Sequence, residues 1–398
     1  MMNAKKWSCC FVALIVACLM VIMSLNYFVD PYGYFESQSG EAYGLDYYDY
    51  LRGQKAEHIK HFSDDYDAYL VCGSKGSAVR PSKLKELDGY DYYNCWVLSG
   101  SFNDYVAYVK YICENTDAKK IMLQISTSEL FEFNREDYGT IYELPAEVTG
   151  ESKALETLSF LMKNPKTAVE ELTEDKVVRP NKKTGERDLQ YYYDFQKSKL
   201  TNGEYFNYMF EGSYVYYKFF HKQLRDIEEN KEASLDSLRE IKAICEEHGV
   251  ELQVYFASMF SAQMIQYENE VFYDFMEEVV MLFGDTWCFN TYNDVALCPY
   301  NFYNPAHFYY EVGDLMVDTM AGKECPFEGF GELLTRKNIG TVIEERRKSY
   351  QEWKKYYEEN YYPAYDYNGV HYEAHNTLPL KGFNSEANLT KNHVLGKQ

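Results

Sequence analysis

The stretch Ala68-Tyr69-Leu70-Val71-Cys72-Gly73-Ser74-Lys75-Gly76-Ser77 reads as a buried strand, Ala68–Cys72, that stops abruptly on small residues and hydroxyls. A strand running into such a loop is where open α/β sheets hold ligands and do chemistry. Further strand-like runs occur at Tyr93–Leu98, Lys120–Ile125, Glu251–Ala257 and Thr286–Phe289. Most are separated by helical periodicity: Asn103 to Glu114, Ser234 to His248 with Gly249 in the C-cap position, Tyr267 to Phe283, and Tyr309 to Met320. That alternation implies a parallel sheet whose right-handed crossovers cover both faces. The expected fold is α/β, a doubly wound, mainly parallel five-stranded sheet over residues 61–340, with a helical insertion and one transmembrane helix before it.

A second stretch, Phe302-Tyr303-Asn304-Pro305-Ala306-His307, lies about 230 residues further on. It sets a polar side chain three residues before a histidine, close enough for Asn304 to orient the imidazole within one turn. The sheet is expected to bring both stretches to the C-terminal edge of its strands. Ser74 or Ser77 is then the candidate nucleophile, His307 the base and Asn304 its orienting group. Gly73 and Lys75 flank Ser74 in its loop, and Gly100-Ser101 follow the strand-like run Tyr93–Leu98. Each also has a plainer reading: Ser74 as a turn hydroxyl satisfying loop N–H groups, Gly100-Ser101 as the turn before a helix, and His307 as a packed or capping side chain.

A chain of 398 residues with 46% hydrophobic content supports one large or two ordinary domains. Lys plus Arg minus Asp plus Glu is 40 − 62 = −22, a balance that repels nucleic acid and anionic lipid head groups unless a local basic patch intervenes, and leaves no nucleic-acid partner expected. The 41 tyrosines suit either a sugar-stacking surface or general packing, and packing accounts for them more simply. No cofactor motif is present. Ten cysteines include no CxxC pair, so no metal site is expected; seven lie outside the first thirty residues, Cys72, Cys95 and Cys288 among them in apolar strand-like runs, with one disulfide possible.

After Lys5 and Lys6 the chain is free of charge from Trp7 to Val29, about the ~20 residues a bilayer core requires of a helix. The basic flank and Asp30 orient the short tail inward and the remainder outside the cytoplasm. Ser24-Leu25-Asn26 makes a poor cleavage site, and Ile15-Val16-Ala17-Cys18 resembles a lipoprotein box although the chain stays apolar beyond it. An uncleaved anchor over residues 1–29 is expected, followed by a lead-in over 30–60. With a single apolar segment, a transporter or channel is disfavoured. The βα alternation breaks at about residues 130–230, read as an insertion covering the site and containing helical pieces (Leu155–Met162, Lys166–Leu172) and a polar turn from Pro180 to Gly185. A charged helix at 341–360 and a Tyr-rich tail at 361–398, disordered beyond about Asn376, complete the chain. His371 and His375 have i, i+4 spacing, but the intervening glutamate is misplaced for a zinc motif.

Taken in order, Asn26-Tyr27-Phe28-Val29-Asp30-Pro31-Tyr32-Gly33, Arg52 and Lys55, Gly73-Ser74, Asn94, Gly100, Asn301 to Gly313, and Phe330-Gly331 to Asn338-Ile339 resemble the SGNH (GDSL-type) hydrolase superfamily. The likeness is to its membrane-anchored members in bacterial exopolysaccharide and teichoic-acid systems, and it spans roughly residues 26–345. The resemblance implies a flavodoxin-like SGNH sheet and an extracytoplasmic protein acting in modification or export of a surface polysaccharide or teichoic acid. Its chemistry would be acyl transfer or ester hydrolysis, alongside a membrane-bound acyltransferase or export partners. Family members place the nucleophilic serine two residues after the first glycine and a carboxylate three residues before the histidine; here Lys75 and Asn304 occupy those positions. Ser74 or Ser77 is then the implied nucleophile, with Asp294 or Glu311 as the acid, backbone groups around Ser74 and Gly100 as the oxyanion hole, and Gly73, Lys75, Gly100 and Ser101 as the implied oxyanion or binding positions. Ser126-Thr127-Ser128-Glu129 stands where the third-block asparagine is expected, so Ser126, Ser128 or the backbone would supply the second donor. The alternative is a catalytically degenerate member that binds or scaffolds in a surface-polymer assembly.

Overall fold

A computed structural model describes residues 4–38, 50–131, 143–172, 183–199, 204–362, 365–367, 370–372 and 375–376. The five expected strands form a parallel set: β1 (Ala68–Gly73), β2 (Tyr92–Val97), β3 (Lys120–Ile125), β4 (Glu251–Phe256) and β5 (Thr286–Cys288). A short hairpin, β6 (Phe302–Asn304) and β7 (His307–Phe308), stands apart from the sheet. The expectation of five strands falls one short, because β8 (Glu332–Leu334) adds antiparallel to β5 and the sheet order is β2-β1-β3-β4-β5-β8. Three residues with a charged first member carry too little alternation to stand out as a strand.

β1, β2 and β3 are buried at every position, as the continuous apolar runs require of strands covered on both faces. The crossover helix Pro81–Asp88 carries the chain from β1 to β2 in one direction. The crossovers containing Phe102–Asn115, Glu204–His248 and Glu270–Phe283 then run the other way across the sheet. With right-handed crossovers the two sets fall on opposite faces. In accord with this, Glu204–His248 packs on both Phe102–Asn115 and Glu270–Phe283, whereas Pro81–Asp88 packs on Tyr310–Met320. Strand direction of travel reverses between β1 and β3, the position at which such sheets open a crevice beyond their C-terminal ends.

Two compact units emerge from the contacts: Met1–Ser63 with Asp137–Lys182, and Asp64–Glu136 with Lys183–Gln398. The segment expected as one insertion at 130–230 therefore divides, its first part clustering with the N-terminal residues and its remainder with the sheet. The helix expected from Ser234 begins thirty residues earlier within Glu204–His248, a run of 45 residues. In the first unit, Ala4–Val29 is a 26-residue helix long and apolar enough to cross a membrane, and its apolar window is not buried against the protein. The last strand-like residues pair as short antiparallel ribbons, Tyr361–Tyr362 with His375–Asn376 and Tyr365–Tyr367 with Val370–Tyr372, which puts His371 and His375 on different strands. The disorder expected beyond Asn376 lies outside the described residues.

Candidate active site

β1 delivers Gly73 and then coils into a single 3-10 turn, Ser74–Ala78. Asn94 on the neighbouring strand holds that turn: its amide donates to the carbonyls of Gly76 (2.8 Å) and Val79 (2.9 Å), and its own carbonyl accepts from Trp96 N–H. Two glycines beside it are demanded by close approach. A Cβ at Gly73 would come within 2.9 Å of the Tyr105 hydroxyl and 3.1 Å of Glu129 Oε1, and one at Gly100 within 2.7 Å of Tyr105 Cε1. Gly73 and Gly100 thus pack over the same buried phenol, with the Gly100 nitrogen 3.8 Å from the position of that Gly73 Cβ. From residue 71 to residue 79, Ser74 alone is partly exposed.

The hairpin β6–β7 brings the second stretch to this loop. Ser74 Oγ lies 2.8 Å from His307 Nε2, and His307 Nδ1 lies 2.7 Å from Asn304 Oδ1. Asn304 Oδ1 also accepts the Ala306 backbone N–H at 3.0 Å, which fixes the amide with its oxygen toward the ring. The imidazole must then carry its proton on Nδ1, leaving the Nε2 lone pair to accept from the Ser74 hydroxyl. This is the tautomer a serine nucleophile needs of its base. The ring of His307 lies nearly parallel to Tyr303, 5.2 Å between centroids. The two chain segments are clamped together nearby, by the Arg80–Asp314 ion pair (Nε to Oδ1 3.1 Å) and by Gly313, where a Cβ would meet Ala78 O at 2.8 Å.

The electrostatics around the imidazole are unusual for a base. Burial, then the Lys75 ammonium, then the Arg187 guanidinium hold the His307 pKa well below the ordinary histidine value. Each of these disfavours the imidazolium, and among the described residues no carboxylate hydrogen-bonds the ring. Lys75 is itself buried and acts on Glu129, whose carboxyl is pushed up by desolvation and drawn back by the Lys75 charge and by hydrogen bonds. Glu129 accepts from Ser126 N–H at 2.7 Å, from the Ser126 hydroxyl and from Tyr105 at 2.9 Å. Arg187 donates to the Tyr303 (3.2 Å) and Tyr192 (2.8 Å) hydroxyls and lies over the rings of both tyrosines and Trp96.

Of the residues singled out from the sequence, Ser74, His307 and Asn304 come together in one relay, with Gly73, Lys75 and Gly100 around it. Ser77 does not reach it: the residue is fully buried and its carbonyl accepts the Arg187 N–H. Ser101 serves the helix behind the site, its hydroxyl accepting from Asp104 N–H and its own N–H donating to Asp104 in a capping box. That commits both the hydroxyl and the N–H of Ser101 to the helix. Neither expected acid faces the imidazole, since Glu311 accepts from Tyr193 and Asp294 opens the short helix Asp294–Leu297 behind the Asn293 cap. Ser126 is committed to Glu129, and the side chain of Ser128 lies outside the described residues. Arg187, Tyr303 and Tyr105 were not singled out; the only signal for Arg187 was its place just after the polar turn ending at Gly185.

Among the described residues no group of three or more His, Cys, Asp or Glu side chains is placed to hold a metal ion. The ordinary α/β frame with a serine, histidine and asparagine relay at its switch point is not accompanied by a recognisable sequence family: no family model matches the chain, and no curated protein matches it.

Proposed function

We propose that this chain is a membrane-anchored, extracytoplasmic SGNH-like enzyme that acts on acyl esters of a cell-surface polysaccharide or teichoic acid, by acyl transfer or hydrolysis. The observation that carries the reading is the Ser74–His307–Asn304 relay, correctly tautomerised and largely buried, with Ser74, Asn304 and His307 each keeping a partly exposed edge. In the forward half-reaction Ser74 Oγ attacks the acyl carbonyl carbon while its proton passes to His307 Nε2. The tetrahedral oxyanion is met by backbone N–H groups of the Ser74 and Gly100 loops. Collapse breaks the ester C–O bond, and the imidazolium returns its proton to the departing alcohol oxygen. Water or a second hydroxyl then repeats the sequence on the acyl-serine, and the choice between them separates hydrolysis from transfer. The polymer and any acyltransferase or export partner follow from the family resemblance.

A second reading is favoured by a separate observation, the two cations and the missing carboxylate at His307. A site that disfavours its own imidazolium fits a scaffold that has kept the fold and binds a polymer without turning it over. A fluorophosphonate probe on the full-length protein discriminates between them, because only an activated serine reacts readily. Labelling at Ser74 that is lost in both Ser74→Ala and His307→Ala supports the enzyme. Absence of labelling in a folded wild type supports the scaffold.

A further inference from the structure

The helix Lys153–Leu161 in the first unit is built inside out. Its charged residues and Thr157 face the protein: Lys153 pairs with Glu57 (2.7 Å), Glu147 (2.7 Å) and Glu156 (2.9 Å), and Thr157 bonds the Tyr34 hydroxyl at 2.7 Å. Glu57, in turn, is fully buried in the helix Leu51–Phe62. The outward positions of the same helix and the turn after it are Ala154, Leu155, Leu158, Ser159 and Met162, none of them charged. The next helix, Pro165–Glu171, turns Val169 outward beside an exposed ion pair, Lys166 with Glu170 (3.2 Å), the charged company of a headgroup layer, and is followed by exposed Leu172. Leu155, Leu158, Met162, Val169 and Leu172 are 43% to 69% exposed. A helix facing water would reverse this arrangement, with charge outside and leucine inside.

What those leucines face is set by the N-terminal helix. Asn26, buried within it, donates both amide hydrogens to carbonyls of the outward-apolar segment, Leu161 O at 2.9 Å and Lys163 O at 2.8 Å. Counting the roughly 20 residues that a hydrocarbon core requires from the start of the charge-free run at Trp7 ends at Asn26. The two short helices are therefore fastened to the membrane helix at the depth where hydrocarbon gives way to headgroups. Lys163 lies there over the rings of Phe160 and Tyr32, the basic and aromatic company typical of a membrane interface.

We infer that the segment from Lys153 to Leu172 lies in the bilayer interface beside the membrane helix, with Leu155, Leu158, Met162, Val169 and Leu172 inserted among the upper acyl chains. The first unit is thereby a lipid-seated collar at the end of the anchor rather than a solvated linker. The inference depends on the span and not on esterase chemistry. The apolar span runs directly into this surface through the Asn26 hydrogen bonds, which makes the bilayer its occupant.

The test places the full-length chain in nanodiscs made with lipids brominated either near the headgroup or deep in the acyl chain. A tryptophan is added at Leu158 (L158W), and in a control at the exposed Lys110 of the sheet unit (K110W). The four native tryptophans are subtracted using the wild type, and quenching of Trp7 reports insertion of the span itself. Most of the emission added by L158W is expected to be lost with shallow bromines and little with deep ones, while K110W emission is unaffected. Emission from L158W that is red-shifted and unquenched, or blue-shifted yet unquenched because another protein or a second copy covers it, overturns the collar. Loss of Trp7 quenching overturns it as well, since the collar requires the span. Circular dichroism of the same discs establishes that L158W, at an exposed position, has folded.

Discussion

Replacing Asn304 by aspartate is the sharpest probe of the relay. In a protease triad the reverse change costs about 10⁴ in rate, largely because the amide imposes the wrong tautomer. Here the Ala306 N–H holds the Asn304 oxygen toward His307, so the tautomer is already right and only charge is missing. An ionised carboxylate at ~4 Å from the centre of the imidazolium contributes about 4 kcal/mol at an effective dielectric constant near 20. Desolvating the new carboxylate offsets part of that, although Lys75 and Arg187 favour its ionised form. A net stabilisation of about 2–4 kcal/mol corresponds to a roughly 30- to 1,000-fold faster acylation. The assay is the second-order rate of fluorophosphonate labelling at Ser74, followed by intact mass, with hydrolysis of a small acyl ester alongside. The acid limb of the pH profile should move upward in Asn304→Asp, because the carboxylate raises the His307 pKa. An Asn304→Asp protein that keeps the wild-type melting temperature yet labels no faster refutes the reasoning, as does undiminished labelling in Ser74→Ala.

Three further outcomes follow from the same geometry. His307 has a folded pKa depressed below its unfolded value, so its neutral form contributes stability that is complete above about pH 6.5 and is lost as pH falls below it, by at most ~1.4 kcal/mol per pH unit; His307→Gln should flatten the denaturation midpoint between pH 7.5 and pH 5, and an unchanged slope excludes the assignment. Gly313→Ala puts a methyl 2.8 Å from the Ala78 carbonyl, a backbone atom that cannot step aside, and should cost about 1–3 kcal/mol in denaturant unfolding and slow Ser74 labelling as well. Cys113 and Cys245 meet where their helices pack, and the hydrogen bond between the two thiols holds Cys113 below its ordinary pKa; in an extracytoplasmic setting they should be oxidised, with a chain-entropy gain of about 5 kcal/mol for a loop of this length, and two free thiols in protein isolated from the envelope would count against that location.

The sheet was legible because burial on both faces writes each parallel strand as a plain apolar run; Ala68–Cys72 and Lys120–Ile125 need no partner to be recognised. What sequence reading missed depends on contacts between distant segments. β8 is too short to show alternation, and the long helix Glu204–His248 is hidden by tyrosines whose period is ambiguous. At the site, Ser74 and His307 were within reach of sequence reasoning, whereas the fitness of Asn304 was not. Its amide is oriented by a backbone N–H two residues on, which no choice of side chain advertises. Arg187 was equally invisible, because its surroundings of Trp96, Tyr192 and Tyr303 come from three separate parts of the chain.

The segment that carries Arg187 has one more tie. Thr184 O accepts from Asn94 N–H (2.8 Å), Gly185 O from the Trp96 indole (2.8 Å), and Arg187 N–H donates to Ser77 O (3.0 Å). β2 is the outer strand on that side of the sheet, and the first two of these bonds take up its Asn94 N–H and its Trp96 indole, while β8 is the outer strand on the other side. An outer strand left open is a template for pairing between molecules. The few residues from Thr184 to Arg187 therefore cover part of this edge and set the charge beside the histidine at once. Selection acting on either property must pass through the same four positions, so changes that retune the site there will tend to surface first as poor yield or precipitation rather than as altered chemistry.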